Sequence, residues 1–153
     1  MITLIRLTLV VFIIAGCDAT VDASRLDNNL ADTSWLFERA ETGDGTVDHE
    51  PTNSRRAAIY FGDRLDNEDG YSVSGYNGCN SFSGKYSVDG TEIVFSELLQ
   101  TLRACQEQEA RIESAFSRGI VGARSFTLED NNLVIDAPGE SVKLRLIREV
   151  VEE

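Results

Sequence analysis

The stretch VSGYNGCNSFSGKYSVDGTEIVF, residues 73–95, sets one cysteine among glycine, asparagine and serine and runs straight into a hairpin. Lys85–Val88 and Glu92–Phe95 have strand composition and flank Asp89-Gly90, a turn pair that closes hairpins because glycine takes positive φ without a steric penalty. Antiparallel β structure is therefore expected in the middle of the chain. Working backwards, YSVSGY from Tyr71, RRAAIYF from Arg55 to Phe61, and SWLFERA from Ser34 to Ala40 read as strands. In the last of these, Trp35 and Phe37 fall on one face. Between them, residues 41–54 are polar, contain Pro51 and read as an exposed loop, and DRLDNEDG, residues 63–70, reads as an acidic turn.

Working forwards, the period changes. Ile112, Ala115, Phe116 and Ile120 recur at helical spacing after Gln106, and Gly119 and Gly122 mark the end of that helix. The segment SFTLEDNNLVIDAPGESVKLRLI, residues 125–147, then gives three short strands. In the last, Val142, Leu144 and Leu146 alternate with Lys143 and Arg145, one buried face against one wet face. The expected fold class is α+β: a single small domain, a curved, mostly antiparallel sheet of six or seven strands, with one amphipathic helix packed on it. Aromatic residues concentrate between Tyr60 and Phe95, where strand aromatics read first as core and second as the lining of a ligand groove.

A chain of 153 residues suits one domain with a real core. Its start carries one positive charge in Met1–Arg6, then an apolar run, Leu7–Ala15, far short of the about 20 residues a membrane-spanning helix needs. That pattern reads as a secretory signal peptide. Ile14-Ala15-Gly16-Cys17 resembles the bacterial lipobox, in which the cysteine receives lipid and becomes the new N-terminus. The resulting division is a lipoprotein signal peptide over 1–16, lipidation at Cys17, a polar tether over 17–32, a folded domain over 33–149 and a tail over 150–153. The lipobox implies a membrane partner through the lipid anchor and a place in the bacterial cell envelope, facing the periplasm. Asp18 resembles an inner-membrane retention signal. The net charge of −12 repels phosphate backbones and excludes nucleic acid as a partner; it repels anionic headgroups too, so attachment rests on the acyl chains.

With Cys17 assigned to lipid, two cysteines remain, Cys79 and Cys105, and export brings them to an oxidising compartment where disulfides persist. A structural bridge is the expected state. The alternative is a thiol-disulfide redox enzyme using the same pair, although redox sites favour the close spacing C-x-x-C and the single histidine, His49, lies in the distant acidic loop.

The stretch above, followed by TLRACQEQEARIESAF at 101–116, resembles the META domain of HslJ-like bacterial proteins. The matching positions are Gly78, Cys79, Asn80, Gly84 and Tyr86, then Thr101, Ala104, Cys105 and Glu109. Looser similarity runs from Leu30 and Trp35 to Leu146. Arg103 and Gln106 stand where family members often carry Met and Pro. The resemblance implies a small envelope domain, secreted or lipid-anchored, associated with stress tolerance and without a settled biochemical activity.

No metal or cofactor is expected. Aligning Gly70 with the sixth position of a calcium loop puts Leu65 and Tyr76 where Asp and Glu are needed. No phosphate loop, zinc cluster or nucleophile elbow stands out, so the expectation is a noncatalytic protein that binds an envelope protein or a small-molecule ligand. The candidate binding surface is Asn77, Asn80 and Arg103. The competing reading of the two asparagines is that their side chains satisfy backbone amides of the cysteine loop.

Overall fold

The computed structural model describes residues 30–49, 55–66 and 70–150. Cys17, Asp18, the leader and nearly all of the tether lie outside them. Among the described residues the chain forms nine strands and one α-helix: β1 (Thr33–Thr42), β2 (Gly45–Asp48), β3 (Ala58–Arg64), β4 (Tyr71–Tyr76), β5 (Ser81–Asp89), β6 (Glu92–Gln100), α1 (Glu107–Val121), β7 (Ser125–Glu129), β8 (Asn132–Ala137) and β9 (Val142–Arg148).

The sheet is antiparallel, as expected, but it is closed rather than merely curved. Its order is β2-β1-β3-β4-β5-β6-β7-β8-β9, and β1 also pairs with β9. Eight strands thus make a barrel, with β2 as an outer flap. β1 manages this by bending. Its first half pairs with β3 from Thr33↔Phe61 to Leu36↔Ala58, its second half with β2, and its other edge follows β9 from Trp35↔Arg148 to Thr42↔Val142. The register shift between Phe37 and Arg39 is the bulge that turns the strand. Closure removes the two raw edges an open sheet would present. It also lets inward residues of the first and last strands, Trp35, Phe37, Leu144 and Leu146, share one core.

That core is dense with rings. Phe61 meets Tyr86 edge-on at 4.9 Å between centroids, and Phe95 stacks obliquely on both. An eight-stranded barrel has an interior that side chains just fill, and these aromatics fill it. Trp35 is fully buried, yet its indole N–H is satisfied by Thr33 Oγ1 at 2.7 Å, and that hydroxyl in turn donates to the Leu30 carbonyl. Leu30 is itself fully buried, so the packed body begins inside the stretch read as tether.

Residues 41–54 are not one loop. Glu41 and Thr42 complete β1, and residues 45–48 return along it as β2, with Thr42 opposite Gly45. The turn is made by Gly45 at φ 133 and by Thr42, whose hydroxyl donates to the Gly45 carbonyl at 2.9 Å. The polar composition misled because β2 lies on the outside, where no apolar alternation is required. Strand β6 also runs five residues past Phe95.

Helix α1 begins and ends where its sequence signals stand: the Gln106 N–H donates to Glu109 Oε2 at 3.3 Å, and the Gly122 N–H returns to the Arg118 carbonyl at 2.9 Å. Glu107 and Glu109 in the first turn and Arg118 in the last complement the helix dipole. Gly119 is not at a fraying end. It is buried inside the helix, with Leu144 of β9 packed where a side chain would start. Phe116 reaches Phe37 and Phe82, both at 5.9 Å between centroids, so α1 closes one mouth of the barrel.

Candidate functional site

The cysteine loop connects β4 to β5 and is built around Asn77. This side chain is 1% exposed, and its Oδ1 accepts from the backbone N–H of Cys79 at 3.2 Å and of Asn80 at 2.7 Å. The Asn77 N–H closes the turn on the Asn80 carbonyl at 2.9 Å. Gly78 holds φ 104, and a Cβ there would sit 2.7 Å from Ile112 of α1, so position 78 admits only glycine comfortably. The loop is tight because the helix lies directly on it.

Asn80 ties this loop to the segment leading into α1. Its Oδ1 accepts from Thr101 Oγ1 at 3.0 Å and from the Arg103 N–H at 2.8 Å, while its Nδ2 donates to Glu113 Oε1 at 2.8 Å. The disulfide between Cys79 and Cys105, with Cα atoms 5.8 Å apart, spans the same two segments. The Arg103 guanidinium donates to the Tyr76 hydroxyl at 3.2 Å and lies 3.8 Å from Glu109, while Arg55 stacks over the Tyr76 ring at 4.9 Å. The two asparagines therefore use their amides on the protein's own backbone and neighbours. Arg103 remains largely exposed.

Among the described residues, one group of three metal-ligating side chains converges: Cys79, Cys105 and Glu113. Its sulfurs are bonded to each other, which leaves a single carboxylate. Cys79 is buried and Cys105 is the accessible sulfur, but Glu113 Oε2 stands 3.2 Å from it. An anionic neighbour opposes both an incoming thiolate and a departing one, whereas redox-active cysteines sit beside positive charge.

The other face of Asn77 opens on a groove. Its Nδ2 donates to Ser117 Oγ at 3.1 Å and Gln100 Oε1 at 3.3 Å, and beside these groups Phe82, Leu98, Phe116 and Ile120 form an apolar floor between β6 and α1. Leu99, 74% exposed, and Val121, 65% exposed, stand on its lips. The volume is about 260 Å³. Pockets that enclose a drug-sized ligand run from about 300 to 1,000 Å³, so this groove suits a few side chains of a larger partner better than a whole small molecule.

Of the expected surface, the structure brings Asn77 to this groove, sets Asn80 in the wall behind it and places Arg103 at Tyr76. Phe82 falls among the aromatics whose second reading was a groove lining, but Leu98, Leu99 and Val121 were missed. Leu98-Leu99 directly follows the expected end of a strand, and Val121 falls outside the buried helical stripe. Apolar side chains without a core to enter were the available signal.

Residues 28–149 match the family model described as META domain. No curated protein matches the chain. Among solved structures, an NMR structure of a protein from Burkholderia xenovorans is similar at a TM-score of 0.64, with 21% identity over 84% of this chain and 88% of that one. A second NMR structure has a TM-score of 0.56, with 19% identity over 76% and 88%. A crystal structure of a DUF4847 family protein from Bacteroides vulgatus has a TM-score of 0.52, with 13% identity over 81% and 97%. At such identities the likeness is one of fold. No helix of the described residues is long and apolar enough to cross a membrane.

Proposed function

The chain belongs to the META domain family, and from that premise we propose that it is a noncatalytic binding protein of the bacterial cell envelope, held on the membrane by lipid at Cys17 and facing the periplasm. Its working surface is the groove between β6 and α1, and the cysteine loop is the scaffold that fixes the groove's wall. One observation carries this reading: Leu99 and Val121 stay in water on the lips of a trough floored by Phe82, Leu98, Phe116 and Ile120. A small, cross-linked barrel suits a role in stress tolerance.

The groove is tested with Nile red, a neutral apolar dye. Its emission should rise with the purified domain and fall back with Val121→Glu, a substitution at an exposed position. An emission rise that ignores Val121→Glu removes the groove from the proposal. The anchor is tested separately by intact mass and membrane fractionation: wild type should carry acyl chains and Cys17→Ser should not, and an unprocessed leader with a free Cys17 thiol would overturn that part.

The alternative, a thiol-disulfide redox enzyme using Cys79 and Cys105, predicts different behaviour. A structural bridge has a reduction potential below about −300 mV. Replacing both cysteines by Ala should then lower stability by about 3.5 kcal/mol, the chain-entropy value for a loop of this length, with no turnover to lose. Loss of a measurable dithiol-oxidising turnover at unchanged stability would favour the enzyme.

A further inference from the structure

Two oxygens are turned on a bridge that has no hydrogen to give them. Glu113 Oε2 stands 3.2 Å from Cys105 Sγ, and the Arg103 carbonyl stands 3.3 Å from Cys105 Sγ and 3.7 Å from Cys79 Sγ. A disulfide sulfur carries no proton, so neither contact is a hydrogen bond while the bridge is closed. Glu113 is held there from behind. Asn80, 3% exposed, donates through Nδ2 to Oε1 at 2.8 Å and leaves Oε2 facing the sulfurs, and the same Nδ2 lies 3.9 Å from Cys105 Sγ. The ligand atoms of Cys79, Cys105 and Glu113 all fall within 4.8 Å of one another. Separate pieces of chain bring them together: the cysteine loop, the run into α1 and the second turn of α1.

We propose that the dithiol form of this cluster, in which the bridge is open, is a zinc site: Cys79 Sγ, Cys105 Sγ and Glu113 Oε2 hold one Zn²⁺, and water takes the fourth position. Two thiolates and a carboxylate are a zinc ligand set, and zinc adopts a tetrahedron of three protein ligands with one open position. The spacing fits as well. Zn–S bonds of about 2.3 Å put two tetrahedral sulfurs about 3.8 Å apart, which residues with Cα atoms 5.8 Å apart reach by side-chain rotation. Cys105, the accessible one, has room to turn. The Asn80 amide behind Glu113 supplies the outer-shell hydrogen bond that orients a ligating carboxylate. The negative lining that opposes an incoming thiolate is what a cation requires.

Binding expels two thiol protons and changes no oxidation state. Bridge and metal are therefore alternative fates of one thiol pair, and opening a closed bridge for zinc takes two electrons from a dithiol reductant. The cluster lies apart from the groove between β6 and α1 and stands whether or not that groove binds anything.

The whole domain is reduced with dithiothreitol, freed of reductant without air and titrated with Zn²⁺ against a chromophoric chelator, with the oxidised domain as background. The reduced domain should bind a single equivalent that the oxidised domain does not. Co²⁺ in its place should give a thiolate-to-cobalt charge-transfer band, which carboxylates alone cannot. Glu113→Gln should weaken Zn²⁺ by at least about tenfold, the least that losing even an outer-shell partner costs. Glu107→Gln removes the same charge from an exposed side chain of the same helix and should leave affinity within about twofold. Zinc should also raise the urea midpoint of the reduced domain.

Equal uptake by the oxidised and reduced domains traces the binding to the acidic surface and overturns the proposal. So does zinc binding that Glu113→Gln leaves unchanged or that Glu107→Gln weakens as much, and so does a cobalt spectrum without the charge-transfer band. A reduced domain that is unfolded and that zinc does not refold overturns it too, because the three ligands meet only in the folded chain.

Discussion

Glu113 Oε2 lies 3.2 Å from Cys105 Sγ, the accessible half of the bridge to Cys79. The same carboxylate accepts from Asn80 through its other oxygen, which holds it in place. Cys105 precedes the helix N-terminus, a position that ordinarily favours thiolate, but Glu107, Glu109 and Glu113 set negative charge against that field. Reduction by dithiothreitol should therefore be slow, and Glu113→Gln should speed it by about three- to tenfold. An unchanged rate would mean that the carboxylate does not guard the sulfur.

Asn77→Ala removes the acceptor for two buried N–H groups, those of Cys79 and Asn80. Each orphaned donor costs about 1–3 kcal/mol, so urea unfolding should show a loss of about 2–6 kcal/mol. A loss below about 0.5 kcal/mol would show that the loop finds other acceptors.

Gly119→Ala should run against the usual helix rule. Alanine inside a helix ordinarily gains about 0.5–1 kcal/mol over glycine, but here the added Cβ would overlap the Leu144 side chain, which is fully buried and cannot swing aside. The expected result is a loss of about 1–3 kcal/mol. A stabilised Gly119→Ala variant would show that α1 packs less closely on β9 than described.

His49 should make stability depend on pH. Burial, with repulsion from Arg56, lowers its pKa below the ordinary 6.5. The folded state therefore binds this proton less readily than the unfolded chain. Stability is full above about pH 6.5 and falls as the pH drops towards the lower folded value. The urea midpoint should decline between about pH 7.5 and pH 5, and His49→Gln should flatten that decline. At lower pH a second loss is expected, because the Arg145 hydrogen bond holds the Glu41 pKa below its ordinary 4.5. That stability is present above 4.5 and disappears as Glu41 takes up its proton.

Much of this molecule is legible in its residue order because much of it is local. The Asp89-Gly90 turn, the alternation from Val142 to Leu146 and the Gln106–Gly122 limits of α1 each arise from neighbours within a few positions, and each stands as read. The family is legible for the same reason, since its marks are short runs around Cys79 and Cys105. Pairing between β1 and β9 is another matter. It joins Trp35 to Arg148 across the length of the domain, and alternation that serves an open sheet serves a closed one equally well. Barrel closure, the single β6–β7 pair at Glu92↔Ser125 and the groove between Leu98 and Val121 exist only once distant segments meet. Sequence settled which faces would be dry, because hydrophobic burial follows local period; only the assembled barrel decided which apolar surface the other described residues leave uncovered.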